Sequence, residues 1–287
     1  MQGVIAAVPT PVNTGGMPIR ALFEEHCDWA LTHGCDGLNI LGSTGEANSL
    51  DSGARREVMK WAAASCPRER LMVGTGTPAL AETIALTEAA DDLGYSVALV
   101  LPPYYYAPIS DAGLVAWYMA LNAGLGARSI QIFFYNFPQM TGLTIPVSVI
   151  ADLAKAAPGR FTGIKDSSGD LDYCRRIVRL GMGLHVFPSS ETVLPHAKAD
   201  GFAGCISASV NITAPLCAKV WAGPTAASVP EEIARQRAAL AGANLIPGVK
   251  HMVAHRTGDE AWRRTLPPFL PLPAATADAL EQAMSAH

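Results

Sequence analysis

Short runs of β-branched and aliphatic residues alternate with longer helical patterns from the start of the chain to about residue 210. We predict eight strands, at residues 3–8, 37–41, 71–75, 96–101, 130–135, 161–165, 184–187 and 202–206. The first six connections have the apolar spacing of helices, at residues 19–32, 52–64, 79–93, 111–123, 146–156 and 171–180. The seventh, at 191–199, is short. This alternation favours an α/β fold of the (β/α)8 TIM barrel type, with a doubly wound sheet as the alternative.

The C-terminal part of the chain follows a different pattern. From Asn211 onward there is no further strand pattern, and the segment reads as helices broken at Gly223-Pro224 and Pro267-Pro268. We therefore expect a barrel over residues 1–222 and a helical extension over residues 223–287 that packs on it. A length of 287 residues suits this interpretation, because α/β barrels reach that size as single units.

Composition excludes several classes of partner. The chain is 49% hydrophobic and 16% charged, and its net charge of −4 leaves no basic stripe for nucleic acid. It has no apolar run long enough to span a bilayer and no secretory signal pattern at its start. The six cysteines lack C-x-x-C spacing and lie among apolar segments, as free core thiols do. We expect a cytoplasmic protein with no nucleic-acid or membrane partner.

Barrel enzymes place their chemistry at the carboxyl ends of the strands, and Lys165 ends the sixth predicted strand. If Ile164 faces the helices, strand alternation points Lys165 toward the barrel axis. Withdrawal from water disfavours an ammonium charge, and a neutral amine attacks ketones to form imines. The alternative is a lysine that caps the strand and reaches solvent.

Tyr135 ends the fifth predicted strand, beside Lys165 on the next one. A phenol at that position can relay protons during imine formation. A core tyrosine with a satisfied hydroxyl is the alternative interpretation.

Two further strand ends carry polar motifs. After the second strand, the turn Leu41-Gly-Ser-Thr-Gly-Glu46 offers backbone N–H groups and two hydroxyl side chains that can close on a carboxylate. It can equally be an ordinary βα turn. After the fourth strand, Leu101-Pro-Pro-Tyr-Tyr-Tyr-Ala-Pro108 holds three consecutive tyrosines, which a subunit contact would also explain.

Two other patterns point elsewhere and are weaker. Gly74-Thr-Gly-Thr-Pro-Ala79 matches the dinucleotide fingerprint, yet Asp91 and Asp92 fall at the end of a helix, where the fingerprint needs an acid closing a strand. His251 and His255 have the spacing of a metal-binding pair on one helix face, but no third ligand lies nearby in the sequence.

Taken together, the motifs resemble the dihydrodipicolinate synthase and N-acetylneuraminate lyase family in order and spacing. The matching segments are Gly42-Ser-Thr-Gly-Glu46, Pro103-Tyr-Tyr105, Tyr135-Asn-x-Pro138, Gly163-Ile-Lys165 and Gly204-Cys-Ile-Ser207. The resemblance covers roughly residues 1 to 220 through these motifs, and the helical tail by length alone.

The resemblance implies a class I aldolase, a lyase that handles pyruvate on a TIM barrel. It implies that Lys165 forms the Schiff base with the 2-oxo acid and that Tyr135 shuttles protons. It also implies that Thr44 links Tyr135 to Tyr105 of a neighbouring subunit, and hence a homotetramer built as a dimer of dimers. No metal and no diffusible cofactor is implied.

The resemblance also implies how pyruvate is held. Ser43, Thr44 and Gly45 of the turn would bind its carboxylate, and the backbone near Ile206 would contact its other end.

The chain departs from the family where the second substrate binds. Dihydrodipicolinate synthases carry a carboxylate-clamping arginine at the position of Met140, and a thioether cannot form that bidentate pair. The Pro-x-x-Thr-Gly pattern here is similar to enzymes acting on 2-keto-3-deoxy sugar acids. Ser190 and Glu191 stand where N-acetylneuraminate lyases have an Asp-Glu pair, and with Ser167 they are candidates for binding substrate hydroxyls.

These observations predict a pyruvate-dependent lyase that cleaves or condenses a 2-keto-3-deoxy sugar acid or similar hydroxy-2-oxo acid, with an aldehyde as the second partner. One alternative is a dehydratase or deaminase of such an acid. A second is 4-hydroxy-tetrahydrodipicolinate synthase. A third, outside enzymes, is a silent barrel that only binds 2-oxo acids.

Overall fold

The computed structural model describes residues 1–285 and contains eight strands in one parallel sheet. The strands are β1 (Gly3–Ala7), β2 (Gly37–Ile40), β3 (Leu71–Gly74), β4 (Val97–Val100), β5 (Gln131–Asn136), β6 (Phe161–Asp166), β7 (His185–Pro188) and β8 (Gly204–Ser207). Their order is β7-β6-β5-β4-β3-β2-β1-β8, and the amide of Ala203 donates to Val186 O at 2.9 Å where the two ends meet. The sheet therefore forms a nearly closed barrel, which confirms the predicted fold class and excludes the open doubly wound sheet.

Helices follow the strands as the alternation predicted. They are α1 (Arg20–Thr32), α2 (Ser52–Ser65), α3 (Leu80–Asp92), α4 (Asp111–Leu125), α5 (Pro138–Thr141), α6 (Val147–Ala156), α7 (Leu171–Val178), α8 (Leu194–Ala197), α9 (Val210–Ala222), α10 (Ser228–Gly242), α11 (Leu245–Thr257) and α12 (Ala274–Ser285). The short α5 was not predicted from the sequence. It begins at a proline, which needs no hydrogen-bond partner there, and ends at Gly142 with φ 65°.

The C-terminal helices pack on one another and on the barrel. In α11 every residue from Ile246 to Ala254 is buried, so this helix is enclosed on all sides. The guanidinium of Arg256 stacks on Trp29 of α1 at 3.8 Å from the ring centroid. The domain boundary at 222/223 stays a prediction, and the last two residues of the predicted extension lie outside the described residues. Within residues 1–285 we find no helix long and apolar enough to cross a membrane.

Two apolar layers lie on opposite sides of the strands. One fills the space between strands and helices, and it includes Ile164. The other fills the barrel interior, and its members include Phe133, Tyr135, Phe187 and Ile206. All six cysteines are free and buried, as the sequence predicted.

An irregularity in β6 sets the direction of its last side chains. The pairing of β5 with β6 shifts register between Ile132 and Phe133, as a β-bulge does. Phe161 and Ile164 consequently both face the helices. Lys165, the residue after Ile164, faces the barrel interior, which confirms the direction inferred from strand alternation.

Candidate active site

Lys165 and Tyr135 are neighbours at the carboxyl end of the barrel. The register of β5 and β6 places them opposite one another, and the Lys165 Nζ lies 4.6 Å from the centroid of the Tyr135 ring. Their exposed fractions are 4% and 3%. Because the lysine is buried against a phenol, the interpretation of Lys165 as a solvated strand cap is wrong.

The turn after β2 brings a hydroxyl group to this pair. The Ser43 Oγ lies 3.3 Å from the Tyr135 hydroxyl. The Gly45 amide donates to Gly42 O at 3.0 Å, and a Cβ on Gly45 would lie 3.1 Å from Val8 O, so a side chain there would press on the backbone of the strand end beside it.

Thr44 is buried at 6% exposure, yet within residues 1–285 it makes no hydrogen bond with Tyr135. In this structure the hydroxyl at hydrogen-bond distance from Tyr135 belongs to Ser43, and the linking role expected of Thr44 stays a prediction. Leu41, at the start of the turn, has a φ of 53°.

The three consecutive tyrosines have different surroundings. Tyr104 is partly buried and lines a cavity, whereas Tyr105 and Tyr106 are 75% and 80% exposed. Tyr105 therefore does not belong to the site of its own chain. Its proposed place in the site of a neighbouring subunit stays a prediction.

A cavity of about 210 Å³ opens beside the turn. Tyr135 and Ser43 line it, and Lys165 contacts Tyr135 without lining the cavity itself. The other walls come from the turn and α2, the carboxyl ends of β3 and β4, the segment after β5, and the C-terminal extension. The residues from these places include Glu46, Arg55, Met140, Thr141, Ile246, Pro268 and Phe269.

Met140 lines the cavity and is 59% exposed, and its contact with substrate stays a prediction. The guanidinium on the cavity wall belongs instead to Arg55, which sequence reasoning did not identify. Its Nη2 donates to Gly74 O at 2.9 Å, its Nε has no hydrogen-bond partner, and no carboxylate within residues 1–285 pairs with it. Burial lowers the pKa of Arg55 to about 10, against the opposing charge of Glu82. Arg55 lies inside the amphipathic α2, and nothing in the sequence pattern there indicated that its side chain would line the cavity.

Glu191 is wholly buried and its carboxylate is already occupied. It accepts hydrogen bonds from Ser207 at 2.6 Å, from Thr213 at 3.1 Å and from the Arg237 guanidinium at 2.9 Å. The expectation that Glu191 binds a substrate hydroxyl is not supported by this placement. The carboxylate instead ties the loop after β7 to β8 and α10.

The remaining predicted contact residues lie around the same end of the barrel. Ser190 accepts from the Thr192 amide at 3.3 Å and so caps the turn that follows it. The Ser167 amide donates to Asn136 O at 2.8 Å, at the end of β6. Ile206 is fully buried in the interior layer. Their roles in binding stay predictions.

The two weaker sequence patterns have structural explanations. Asp91 and Asp92 both pair with Arg128, at 3.3 and 2.6 Å, so they serve as helix-end ion-pair partners. His251 contacts Glu281 at 2.8 Å. Across residues 1–285 there is no group of three or more His, Cys, Asp or Glu side chains placed to hold a metal ion.

The chain matches the model of the dihydrodipicolinate synthetase family over residues 1–287 and belongs to that family. An uncharacterized DapA-like lyase of Chloroflexus aurantiacus is 32% identical over 208 residues, which cover 72% of this chain and 69% of the relative. A 4-hydroxy-tetrahydrodipicolinate synthase of Rhodospirillum centenum is 33% identical over 226 residues, which cover 77% and 75%. The crystal structure of dihydrodipicolinate synthase from Agrobacterium tumefaciens superposes with a TM-score of 0.90 at 28% identity, covering 99% and 98% of the two chains.

Membership of this family makes the protein an enzyme of the lyase class, a Schiff-base aldolase or lyase acting on pyruvate. The resemblance drawn from five short motifs is thereby confirmed over the whole chain.

Proposed function

We propose that this enzyme cleaves or condenses a 2-keto-3-deoxy sugar acid, or a similar hydroxy-2-oxo acid, through an imine on Lys165. The observation that carries the proposal is the buried Lys165 amine against Tyr135, whose hydroxyl in turn meets Ser43. This arrangement joins a nucleophile, a proton carrier and a hydroxyl from the carboxylate-binding turn at one end of the barrel.

In the cleavage direction, the Lys165 Nζ attacks the carbonyl carbon of the 2-oxo acid, and the resulting carbinolamine loses water to give a protonated imine. Removal of the proton from the C4 hydroxyl breaks the C3–C4 bond, and its electron pair moves into the imine to give an enamine and a free aldehyde. Protonation of the enamine at C3 and hydrolysis then release pyruvate and restore the amine.

Tyr135 is the proton carrier in this scheme. Its hydroxyl can supply the proton that carbinolamine oxygen needs to leave as water, and it can accept the proton of the C4 hydroxyl. Ser43 at 3.3 Å gives that proton a path to the turn. In the full assembly we propose that Thr44 and Tyr105 extend this path across subunits of a homotetramer.

The carboxylate of the 2-oxo acid would lie in the turn formed by Ser43, Thr44 and Gly45. Backbone N–H groups of a tight turn bind an anion without a cation. The backbone near Ile206 would contact the methyl end of pyruvate, and Ser167 and Ser190 would meet substrate hydroxyls.

A second candidate is 4-hydroxy-tetrahydrodipicolinate synthase, which the name of the Rhodospirillum centenum relative favours. Met140 on the cavity wall argues against it, because a thioether cannot hold a substrate carboxylate. A dehydratase acting on the same acids is the third candidate, since an enamine can also expel a β-hydroxyl group.

Product analysis separates these candidates. The enzyme is incubated with a 2-keto-3-deoxy sugar acid, and pyruvate, aldehyde and dehydrated products are each quantified. Pyruvate and aldehyde in equal amounts support the proposal, whereas a dehydrated 2-oxo acid without pyruvate supports the dehydratase. Condensation of pyruvate with aspartate semialdehyde at a rate close to that with sugar-derived aldehydes would contradict the proposal, and so would the absence of turnover with any of these substrates.

A further inference from the structure

Glu46 ends the turn that we propose binds the pyruvate carboxylate, and its side chain is held from far away in the sequence. Its side chain has no exposed surface. One carboxylate oxygen accepts from the Lys250 Nζ, and the other accepts from the Leu266 amide at 2.5 Å. Both donors belong to the C-terminal helical region.

Lys250 lies on α11, and its side chain is also fully buried. Burial lowers the pKa of Lys250, against the opposing charge of Glu46. Glu46 is its ion-pair partner within residues 1–285. Because desolvation of two charges offsets much of their attraction, a buried ion pair adds little stability over apolar residues, and its geometric specificity is the better reason for its presence.

The backbone hydrogen bonds of the turn are local. They run from Gly45 to Gly42 at 3.0 Å and from Glu46 to Ser43 at 3.1 Å, and two more, from Ala47 to Gly42 and from Ser49 to Glu46, join the turn to the residues that directly follow it. Glu46 has φ 53°, a conformation that a non-glycine residue keeps only where its surroundings hold it. The ion pair provides that hold.

The same C-terminal region also forms a wall of the cavity. Ile246, four residues before Lys250, and Pro268, two residues after Leu266, both line it. The extension thus contacts the cavity and anchors the turn with the same short segments.

We infer that Lys250 is a positioning residue for the 2-oxo acid site: through Glu46 it fixes the turn whose Ser43 meets Tyr135. This inference rests on the proposed function of the turn. The C-terminal extension therefore sets the affinity for the carboxylate of the 2-oxo acid, although Lys250 touches no substrate.

The test compares Lys250→Met with the wild-type enzyme. We expect KM for the 2-oxo acid to rise by about tenfold or more while kcat falls by less than about threefold, because a displaced turn weakens binding more than chemistry. The double variant Glu46→Gln/Lys250→Met should recover part of the affinity, because it removes the unpaired buried carboxylate. Glu46→Gln alone keeps the side-chain volume but removes the charge. If Lys250→Met does not fold, a rise in KM in Glu46→Gln supports the inference.

His251→Gln is the matched control, because His251 is the next residue on α11 and pairs with Glu281, away from the turn. It should alter thermal stability without altering KM. The inference is overturned if folded Lys250→Met and Glu46→Gln keep the wild-type KM, or if His251→Gln raises KM equally. Trapping of wild-type enzyme by pyruvate and borohydride keeps the outcomes separate: its failure overturns the proposed function, whereas trapping with an unchanged KM in the variants overturns only this inference.

Discussion

The structure buries two lysines in different ways. Lys165 is 4% exposed, and the group beside its amine is the face of a tyrosine ring, with no carboxylate at salt-bridge distance within residues 1–285. Lys250 has no exposed surface and holds the Glu46 carboxylate. The comparison shows that burial alone does not make a lysine a nucleophile. An amine without a counter-ion is available for chemistry, whereas a paired amine is a structural anchor.

Removal of the Lys165 amine should have the largest effect on activity. Lys165→Ala should abolish detectable turnover, because it removes the amine that we propose forms the imine. Lys198→Ala is the control: this lysine donates to Trp221 O on the exposed surface, and its removal should leave the rate unchanged. Steady-state release of pyruvate measures both, and substantial turnover by Lys165→Ala would remove the imine from the mechanism.

Tyr135→Phe tests the neighbour of the unpaired lysine. We expect kcat to fall by about two to four orders of magnitude, as loss of a general acid–base does. Tyr118→Phe serves as a matched control, because its buried hydroxyl donates to Val100 O outside the site. Near-normal rates for Tyr135→Phe would show that the proton travels by another route.

Stability should depend on Lys250, whereas activity should depend on Lys165. Lys250→Met leaves the Glu46 carboxylate buried and unpaired, and we expect it to lower the free energy of unfolding by about 3–5 kcal/mol. Lys165→Met removes a buried amine that pairs with no carboxylate within residues 1–285 and lies against the face of the Tyr135 ring, so stability should stay equal or rise. Urea unfolding of both variants measures the difference, and a similar loss for both would contradict the comparison.

His26 is another buried basic side chain, and it should make the stability of the protein depend on pH. Burial lowers the pKa of His26 from 6.5 to about 4, against a hydrogen bond with Asn211 and with help from the charge of Arg256. Between these values the unfolded chain binds a proton that the folded chain does not, so stability falls as pH falls through this window. The loss from this group is on the order of 3 kcal/mol.

His26→Gln should reduce that pH dependence, measured as the free energy of unfolding above pH 6.5 and near pH 4. The exposed His33→Gln is the control and should keep it. An unchanged pH dependence in His26→Gln would show that other groups control acid stability.

Local sequence signals were sufficient for the barrel and for Lys165. Each strand lies within a residue or two of its predicted position, because short β-branched runs are bounded by turn residues. The inward direction of Lys165 followed from its neighbour Ile164, because side chains alternate along a strand.

Contacts between segments far apart in the chain could not be predicted from local sequence patterns. The engagement of Glu191 depends on Arg237, 46 residues further on, and the anchoring of Glu46 depends on Lys250, 204 residues further on. The approach of the Ser43 hydroxyl to Tyr135 likewise joins residues 92 apart in the sequence. None of these pairings has a periodicity that a single sequence reveals.

The central claim is that the unpaired buried amine forms the imine. Its most direct test is incubation of the wild-type enzyme with pyruvate and borohydride, followed by peptide mapping by mass spectrometry. We predict one reduced pyruvate per chain, attached to Lys165, with Lys250 and the exposed lysines unlabelled. Labelling at another lysine, or no label in a folded enzyme saturated with pyruvate, would contradict the account.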